Sequence, residues 1–360
     1  MKTLRGIALY CGIGKSIDEM KAHLEQAASV GINAVFSSLQ LPESNRDELL
    51  RDFPRMAQIA HSHGMIVDTD ISPRSAKLFG LDLHDFAAFK QMGVDYARLD
   101  YGYSDEALVE ATHNTLGITV ELNAAHATEA WLQKVIALGI NREQIHFCHN
   151  YYPMRYTGLR LEEFGAINDL LHRYGFRVGG FLASQTHQRP ACAVGLPTVE
   201  RHREMNAFTA AQEAILYGLD DLFFGDDFAS PEELKLILDV DPEVVTFRMR
   251  PFVEGELTQW LLGRRLYQTQ HGLDNIIRSS FGELAYHGDT DFTFSCQRHR
   301  GDVTVCKSTL WRYAGEIEIV RQDLPRDMSI GLIGRIIDED LPLLESFRSA
   351  KQFRFIRDDQ

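Results

Sequence analysis

The chain has 360 residues, of which 44% are hydrophobic and 24% charged, and these proportions are ordinary for a soluble globular protein. That length suits one large domain with a smaller one, or two of medium size. The sequence carries 37 lysines and arginines against 51 aspartates and glutamates, for a formal net charge of -14. Because it also has no basic stripe, we expect no nucleic-acid partner.

The apolar run near the N-terminus covers only residues 6–10. It is too short for the core of a signal peptide and for a membrane span. The cysteines are odd in number and include no C-x-x-C pair, which indicates reduced thiols. They are Cys11, Cys148, Cys192, Cys296 and Cys306. These features predict a cytoplasmic protein with no membrane partner.

Strand-like and helix-like segments alternate over the first 240 residues. The predicted strands are 6–10, 33–37, 65–70, 96–100, 118–123, 144–149, 176–182 and 221–225. The predicted helices are 16–30, 46–63, 86–92, 104–113, 128–138, 161–174, 198–217 and 231–238. Ser16 and Glu19 have the spacing of a capping box, whereas Ser72 and Pro73 are expected to open a loop. Eight such units predict an α/β fold, a (β/α)8 TIM barrel over residues 1–240.

The pattern changes after Asp241 and Pro242. Short β-rich runs follow, separated by Gly, Asp and Pro. They are 244–250, 275–281, 291–296, 302–307, 315–320, 331–336 and 352–356, with a helix-like stretch at 254–267. Residues 241–360 are therefore predicted to form a smaller, mainly antiparallel β domain.

Carboxylates lie at the ends of four predicted barrel strands, where the active sites of such barrels are found. They are Asp70, Asp100, Glu121 and Asp226. Two of them could serve as the acid and the nucleophile or base of a glycosidase. The same set with His149 could bind a hard divalent metal ion, and Asp226 could simply cap a helix. The spacing of the residues leaves these interpretations open.

Other polar and aromatic residues near the strand ends are candidates for substrate binding. Aromatic rings stack on sugars, amides and imidazoles bond hydroxyl groups, and arginines clamp phosphate or carboxylate. The candidates are Tyr10, Arg98, Asn123, His149, Asn150, Tyr152, Arg155 and Arg189. An ion pair with Asp100 is an alternative interpretation of Arg98.

Ordered motifs at the strand ends also carry a family resemblance. They are Asp70-Ile71-Ser72-Pro73, Arg98-Leu99-Asp100-Tyr101-Gly102, Glu121-Leu122-Asn123-Ala124, His149-Asn150-Tyr151-Tyr152-Pro153, Thr157-Gly158-Leu159, Gly195-Leu196-Pro197-Thr198, Glu200, His202-Arg203, Phe224-Gly225-Asp226, Arg312-Tyr313-Ala314-Gly315-Glu316-Ile317, Leu324-Pro325 and Phe353-Arg354-Phe355-Ile356. The chain resembles, over nearly its whole length, the bacterial 6-phospho-N-acetylmuramidases, glycoside hydrolase family 170.

The resemblance implies a (β/α)8 barrel followed by a cyclophilin-like β domain. It also implies a cytoplasmic enzyme of peptidoglycan recycling that needs no metal or other cofactor. Its substrate would be a small phosphorylated disaccharide, N-acetylmuramic acid 6-phosphate in β-1,4 linkage to N-acetylglucosamine, whose phosphate and lactyl carboxylate would engage the arginines. Two positions depart from the family pattern, Val194 in place of an acidic residue and Met154-Arg155 in place of Arg-Pro. The identity of the leaving sugar, or of the substituent on the phosphorylated sugar, is therefore left open.

Within this interpretation we predict Glu121 as the general acid and Asp100 as the nucleophile or base, because adjacent strands can hold two carboxyls close together. Two alternatives remain open, a metal-dependent isomerase or aldolase acting on a sugar phosphate and a non-catalytic muropeptide-binding protein. A homodimer is also left open.

Overall fold

A computed structural model describes residues 2–82, 84–190, 193–269, 273–280, 282–347 and 352–358. The chain divides into two compact units, Met1–Asp239 and Val240–Gln360. Cys192 lies outside the described residues, and the other four cysteines are free. Among the helices that the structure describes, none is both long and apolar enough to cross a bilayer.

The first unit is a closed barrel of eight parallel strands in sequential order. The strands are β1 (Arg5–Ala8), β2 (Ala34–Ser38), β3 (Ile66–Ile71), β4 (Tyr96–Leu99), β5 (Thr119–Asn123), β6 (Ile145–Cys148), β7 (Val178–Leu182) and β8 (Asp221–Asp227). Each overlaps a predicted strand, and the predicted TIM barrel is confirmed.

Helices follow the strands. They are α1 (Ile17–Val30), α2 (Arg46–Ser62), α3 (Pro73–Phe79), α4 (Phe86–Gln91), α5 (Asp105–Ala111), α6 (Glu129–Ala137), α7 (Leu161–Arg173), α8 (Ala207–Leu216) and α9 (Pro231–Leu238). The predicted capping box at Ser16 is confirmed. The loop predicted at Ser72 is wrong, because Ser72 caps α3 and Pro73 occupies its first turn.

The interior of the barrel has an apolar side and a charged side. Rings from Tyr10, Phe36, Phe181 and Phe223 pack in one cluster, contributed by β1, β2, β7 and β8 and the residues that follow them. The charged side comes from β3, β4 and β5, on which Asp70, Arg98 and Glu121 lie in register. Residues in register on neighbouring strands share a face, and here that face is the interior of the barrel. These three ionisable side chains are therefore buried.

The second unit contains a seven-stranded sheet. Its strands are β9 (Val244–Pro251), β10 (Leu266–Tyr267), β11 (Ile276–Arg278), β12 (Asp302–Cys306), β13 (Ile317–Val320), β14 (Ile330–Ile336) and β15 (Gln352–Arg357), with short helices α10 (Glu256–Leu261) and α11 (Leu343–Ser346). The strand order is β10-β15-β9-β14-β12-β13-β11. All pairs are antiparallel except β15 with β9. The predicted mainly-β domain is therefore confirmed.

Two predictions in this unit are wrong in detail. Residues 291–293 form a turn and 294–296 have no regular secondary structure. The Thr293 hydroxyl donates to the Thr290 carbonyl at 2.6 Å and the Asp291 amide donates to the Asp289 carboxylate at 2.9 Å, which stabilises the turn. The helix-like stretch 254–267 yields only α10, and its end pairs as β10. Phe281, the last residue of one predicted strand, lies outside the described residues.

The packing of Gly6 against Phe223 gives a test of the barrel core. A Cβ atom at Gly6 would lie 2.1 Å from Cδ1 of the Phe223 ring. We expect Gly6→Ala to lower the free energy of unfolding by about 1–3 kcal/mol through overpacking, measured by urea denaturation. In the Phe223→Leu background the same substitution should cost clearly less. An equal cost in both backgrounds would contradict this packing.

Candidate active site

Arg98 is the central cation at the carboxyl ends of the strands. It is 4% exposed. Its Nη1 donates to Glu121 Oε1 at 3.0 Å and to the His149 carbonyl at 3.4 Å, and its Nη2 donates to Asn150 Oδ1 at 2.5 Å. Arg98 therefore pairs with Glu121, and not with Asp100 as one interpretation of the sequence suggested.

A chain of buried charges continues from Glu121 across the barrel. His146 Nδ1 lies 2.7 Å from Glu121 Oε2, and His146 Nε2 lies 3.0 Å from Asp221 Oδ2. Asp221 also accepts from Arg177 Nη2 at 2.7 Å. Gly179 lies on β7, between the strands of His146 and Asp221, and a Cβ there would lie 3.1 Å from the His146 ring. The absence of a side chain at Gly179 leaves space for His146 to contact Asp221. Burial opposes a charge on His146, but the bonds to Asp221 and Glu121 outweigh it and raise its pKa to about 10.

The environment of Glu121 does not fit the predicted role of general acid. Its side chain is fully buried and both oxygens are held, one by Arg98 and one by His146. Burial alone would raise its pKa, but the bond and charge of His146, with Arg98, lower it. A general acid must hold a proton and reach the leaving oxygen. Glu121 is instead an ionised group that fixes Arg98.

Asp68 is a further buried carboxyl in this cluster. Burial, followed by the charge of Glu121, raises its pKa well above the ordinary value. Its Oδ1 is buried with no hydrogen-bond partner among the described residues. Sequence reasoning chose neither Asp68 nor His146 as a site residue. The signal in the sequence was their position along the strands. Asp68 is two residues before Asp70 and so shares its face, and His146 pairs in register with Glu121.

Asp70 and Asp100 meet at the mouth of the barrel through Gln40. The Asp70 carboxylate accepts from the Ser38 hydroxyl at 2.7 Å and the Leu39 amide at 2.8 Å. The Gln40 side chain lies near enough to Asp70 to lower its pKa, and its Nε2 donates to Asp100 Oδ2 at 3.1 Å. Burial raises the pKa of Asp70 to about 6, although these bonds oppose the shift. The site therefore brings together two carboxyls in different environments.

Asp226, predicted as catalytic, is an anchor for the loop after β7. Its carboxylate accepts three backbone N–H bonds, from Ser184 at 3.0 Å, Arg189 at 2.9 Å and Leu196 at 3.0 Å. With its side chain fully buried and both oxygens occupied, it does not fit a role in acid, base or nucleophilic chemistry. The next residue, Asp227, is 7% exposed, and burial raises its pKa while Arg189 opposes the shift.

Arg189 lies over two tyrosines near the mouth. Its guanidinium carbon is 4.7 Å from the ring centre of Tyr10 and 5.6 Å from that of Tyr151. Its Nη2 is 3.6 Å from Glu43, a loose ion pair. Tyr10 itself is fully buried and donates to the Gly225 carbonyl at 2.6 Å. The buried Tyr10 ring therefore packs against the Arg189 guanidinium. This differs from the direct contact with substrate that the sequence predicted for Tyr10.

Two other predicted binding residues, His149 and Arg155, have partners of their own within the protein. His149 is fully buried, with Nε2 2.8 Å from Asn168 Oδ1 and its ring against Phe164, both on α7. Burial lowers its pKa to about 4, so it is neutral. Arg155 is exposed and pairs with Glu204 at 2.5 Å. The strand alternation that turns Cys148 inward turns His149 outward.

The remaining candidates lie near Arg98 or at strand ends. Asn150 holds the Arg98 guanidinium, as described above. Asn123 accepts from the Ala125 amide at 3.0 Å and so begins a short 3-10 helix. Tyr152 is half-buried. Burial and the charge of Glu163 raise the pKa of its hydroxyl, and the charge of Arg98 only partly opposes this shift.

Glu200 and Arg203 tie the loops after β6 and β7 together. Glu200 accepts from the Tyr156 and Gly158 amides, each at 2.8 Å, and from Arg203. The bond from Arg203, with these amides, lowers its pKa to about 2. Arg203 in turn donates to the carbonyls of Gly195 at 2.8 Å and Met154 at 3.0 Å. The two loops are thereby held in one arrangement.

A basic pocket of about 350 Å³ adjoins the Gln40 side of the mouth. Its lining includes Gln40 together with Arg46, Arg74 and Lys77. Among the described residues neither Arg74 nor Lys77 forms an ion pair within 4.0 Å. Such a pocket can accept an anionic group.

No metal centre can be assigned from the donor groups. Within the described ranges no three His, Cys, Asp or Glu side chains are grouped so as to hold a metal ion. His149, the nitrogen ligand considered from the sequence, faces α7. The metal-dependent alternative thus has no ligand set among these residues to support it.

An eight-stranded parallel barrel with carboxyls and arginines at the carboxyl ends of its strands is the arrangement of a (β/α)8-barrel enzyme. The chain belongs to the 6-phospho-N-acetylmuramidase family. The sequence model of the family's N-terminal domain matches residues 5–239, and that of its C-terminal domain matches residues 267–356. The family name indicates 6-phospho-N-acetylmuramidase activity, that of a glycosidase.

Two solved structures are similar over nearly the whole chain. An uncharacterised Bacillus cereus protein is 23% identical, with a TM-score of 0.83 over 99% of this chain and 100% of its own. A conserved Enterococcus faecalis protein of unknown function is 25% identical, with a TM-score of 0.73 over 99% of this chain and 97% of its own. No curated protein matches the sequence.

The three amide bonds to Asp226 give a test of its anchoring role. We expect Asp226→Asn to lower the free energy of unfolding by about 1–3 kcal/mol, because an amide nitrogen would face a backbone donor. The amides of Ser184, Arg189 and Leu196 should lose protection from hydrogen exchange. Asp227→Asn is the matched control and should leave all three protected. Unchanged protection in Asp226→Asn would contradict the anchoring role.

Proposed function

We propose that this protein hydrolyses the β-1,4 bond between N-acetylmuramic acid 6-phosphate and N-acetylglucosamine, as a step of peptidoglycan recycling in the bacterial cytoplasm. Membership of the 6-phospho-N-acetylmuramidase family supports the reaction class. The observation that carries the proposal is the pair of mouth carboxyls, Asp70 on β3 and Asp100 after the adjacent strand β4, with Gln40 bonded to Asp100 and near Asp70.

In this proposal Asp70 is the general acid in place of Glu121. Its pKa of about 6 leaves about half of it protonated at pH 6 and about a tenth at pH 7, and a group that protonates the leaving oxygen needs that proton. Asp100, half-buried and bonded to Gln40, acts as the nucleophile or the base. Two carboxyls at the ends of adjacent strands suit the shorter separation used by retaining glycosidases.

The substrate's two anionic groups have separate candidate partners. The basic pocket lined by Arg46, Arg74 and Lys77 would take the 6-phosphate, because its cations adjoin Gln40 and so the carboxyl pair. Arg189, whose only carboxylate partner in the described structure is the loosely paired Glu43, would take the lactyl carboxylate.

The acid and nucleophile roles are separable with two substrates. Asp70→Asn should lower turnover of the natural disaccharide by about 100-fold or more, but should affect a nitrophenyl glycoside much less, because nitrophenolate leaves without protonation. Asp100→Asn should lower turnover of both by more than about 1,000-fold. Glu106→Gln, an exposed carboxylate on α5, is the control. Full activity in both variants would overturn the assignment.

The pH profile supplies an independent readout of Asp70. The protonated carboxyl is the active form, so kcat/KM for the disaccharide should be retained below pH 6 and fall as the pH rises through about 6. This alkaline limb should disappear in Asp70→Asn. An alkaline limb that persists at the same pH in the variant would assign the acid to another group.

The phosphate pocket is tested by comparing phosphorylated and unphosphorylated disaccharides. Arg74→Ala and Lys77→Ala should each raise KM for the phosphorylated substrate by about ten-fold, since each removes one charge-assisted bond. Hydrolysis of the unphosphorylated disaccharide should not change. Arg173→Ala, which removes an exposed arginine of α7, is the control. Equal effects on both substrates would argue against a phosphate site here.

A further inference from the structure

The second unit contains a cavity of about 590 Å³, a volume in the range of small-molecule sites. It lies over one face of β11, β12 and β13. Arg278 and Thr304 both pair in register with Glu318, so these side chains share a face. The alternating residues Ile317 and Ile319 are fully buried on the opposite face. The sheet therefore has an apolar core on one side and a polar cavity floor on the other.

Glu318 is a buried carboxylate at this floor that lacks a strong partner. It is 8% exposed. The nearest polar contacts recorded for its carboxylate in the described structure are Cys306 Sγ at 3.9 Å and Arg298 Nη1 at 4.0 Å. Neither is a normal hydrogen bond to a carboxylate. Because a buried carboxylate is costly without a donor, a donor from a ligand would stabilise it.

The charges around Glu318 favour a cation. Arg278 also lines the cavity, but Glu316 neutralises it through two bonds of 2.7 and 2.9 Å. The other ionised lining residues are Arg298 against the carboxylates Asp274, Glu318 and Asp327. Burial, then the charge of Glu316, raises the pKa of Glu318, as expected where the local positive charge is insufficient.

Apart from Asn275 and Cys306, the uncharged residues of the lining are aliphatic or aromatic. Leu310, Leu324 and Ile330 contribute aliphatic surface, and Tyr313 contributes a ring. A fitting ligand therefore combines a positive charge with a small hydrophobic group.

We propose that this cavity binds a primary amine attached to an aliphatic group, with the ammonium at Glu318 and the aliphatic part against Leu310 and Leu324. The same chemistry is offered by a free amine and by the amino terminus of a short peptide. The proposal does not depend on the hydrolase reaction, because all the residues involved belong to the second unit.

Isothermal titration calorimetry on the full chain tests the proposal with matched probes. Hexylamine should bind, while hexan-1-ol and hexanoate should bind at least about ten-fold more weakly. Leucinamide and the tripeptide Leu-Ala-Gly separate the two sources, since whichever binds more tightly identifies a free amine or a peptide terminus. No binding by any amine at millimolar concentration, or equal binding of hexanoate, would overturn the proposal.

Variants locate the binding in the cavity. Glu318→Gln should weaken hexylamine binding by about ten-fold or more. Glu283→Gln removes an exposed charge from the same unit and should have no effect. Leu310→Trp, which fills the cavity and keeps Glu318, should also abolish binding and serves if Glu318→Gln fails to fold. Unchanged affinity in a folded Glu318→Gln or Leu310→Trp variant would contradict the site.

Discussion

The barrel depends on the pairing of charges that its strands bury. Arg98, Glu121, His146 and Asp221 are each less than 5% exposed and form one continuous chain of contacts. A buried charge without a partner costs several kcal/mol, on the order of 3–5 when one member of a pair is removed. Every member therefore constrains its neighbours. The outcome is a fixed Arg98 whose outer nitrogen holds Asn150 at the mouth.

The same constraint divides the acidic residues near the mouth by role. Glu121 is ionised and fixed between two cations, whereas Asp226 and Glu200 accept backbone amides and fix loops. Asp70 has no cation within ion-pair distance in the described structure, so burial dominates and its pKa rises. Among the described backbone amides, Asp70 accepts only that of Leu39, whereas Asp226 accepts three. This division supports the proposed chemistry at Asp70 and Asp100.

Much of the fold could be predicted from the sequence. The strand-helix alternation and the capping box at Ser16 depend on neighbours within a few residues, and the structure agrees with them. The predictions failed where a local signal had two outcomes. Ser72-Pro73 is both a loop signal and a helix start, and α3 follows because Ser72 also bonds Ser75.

The sequence by itself determined the barrel, the second β unit and the set of polar residues delivered to the strand ends, because hydrophobic periodicity and strand parity are local properties. Only the tertiary structure decided which of those residues are paired, which anchor loops and which face the mouth. His149 against Asn168 and Glu121 between Arg98 and His146 are contacts between separate strands and helices. Since burial and such distant neighbours set each pKa, the protonation of Asp70 could not be derived from its place in the chain.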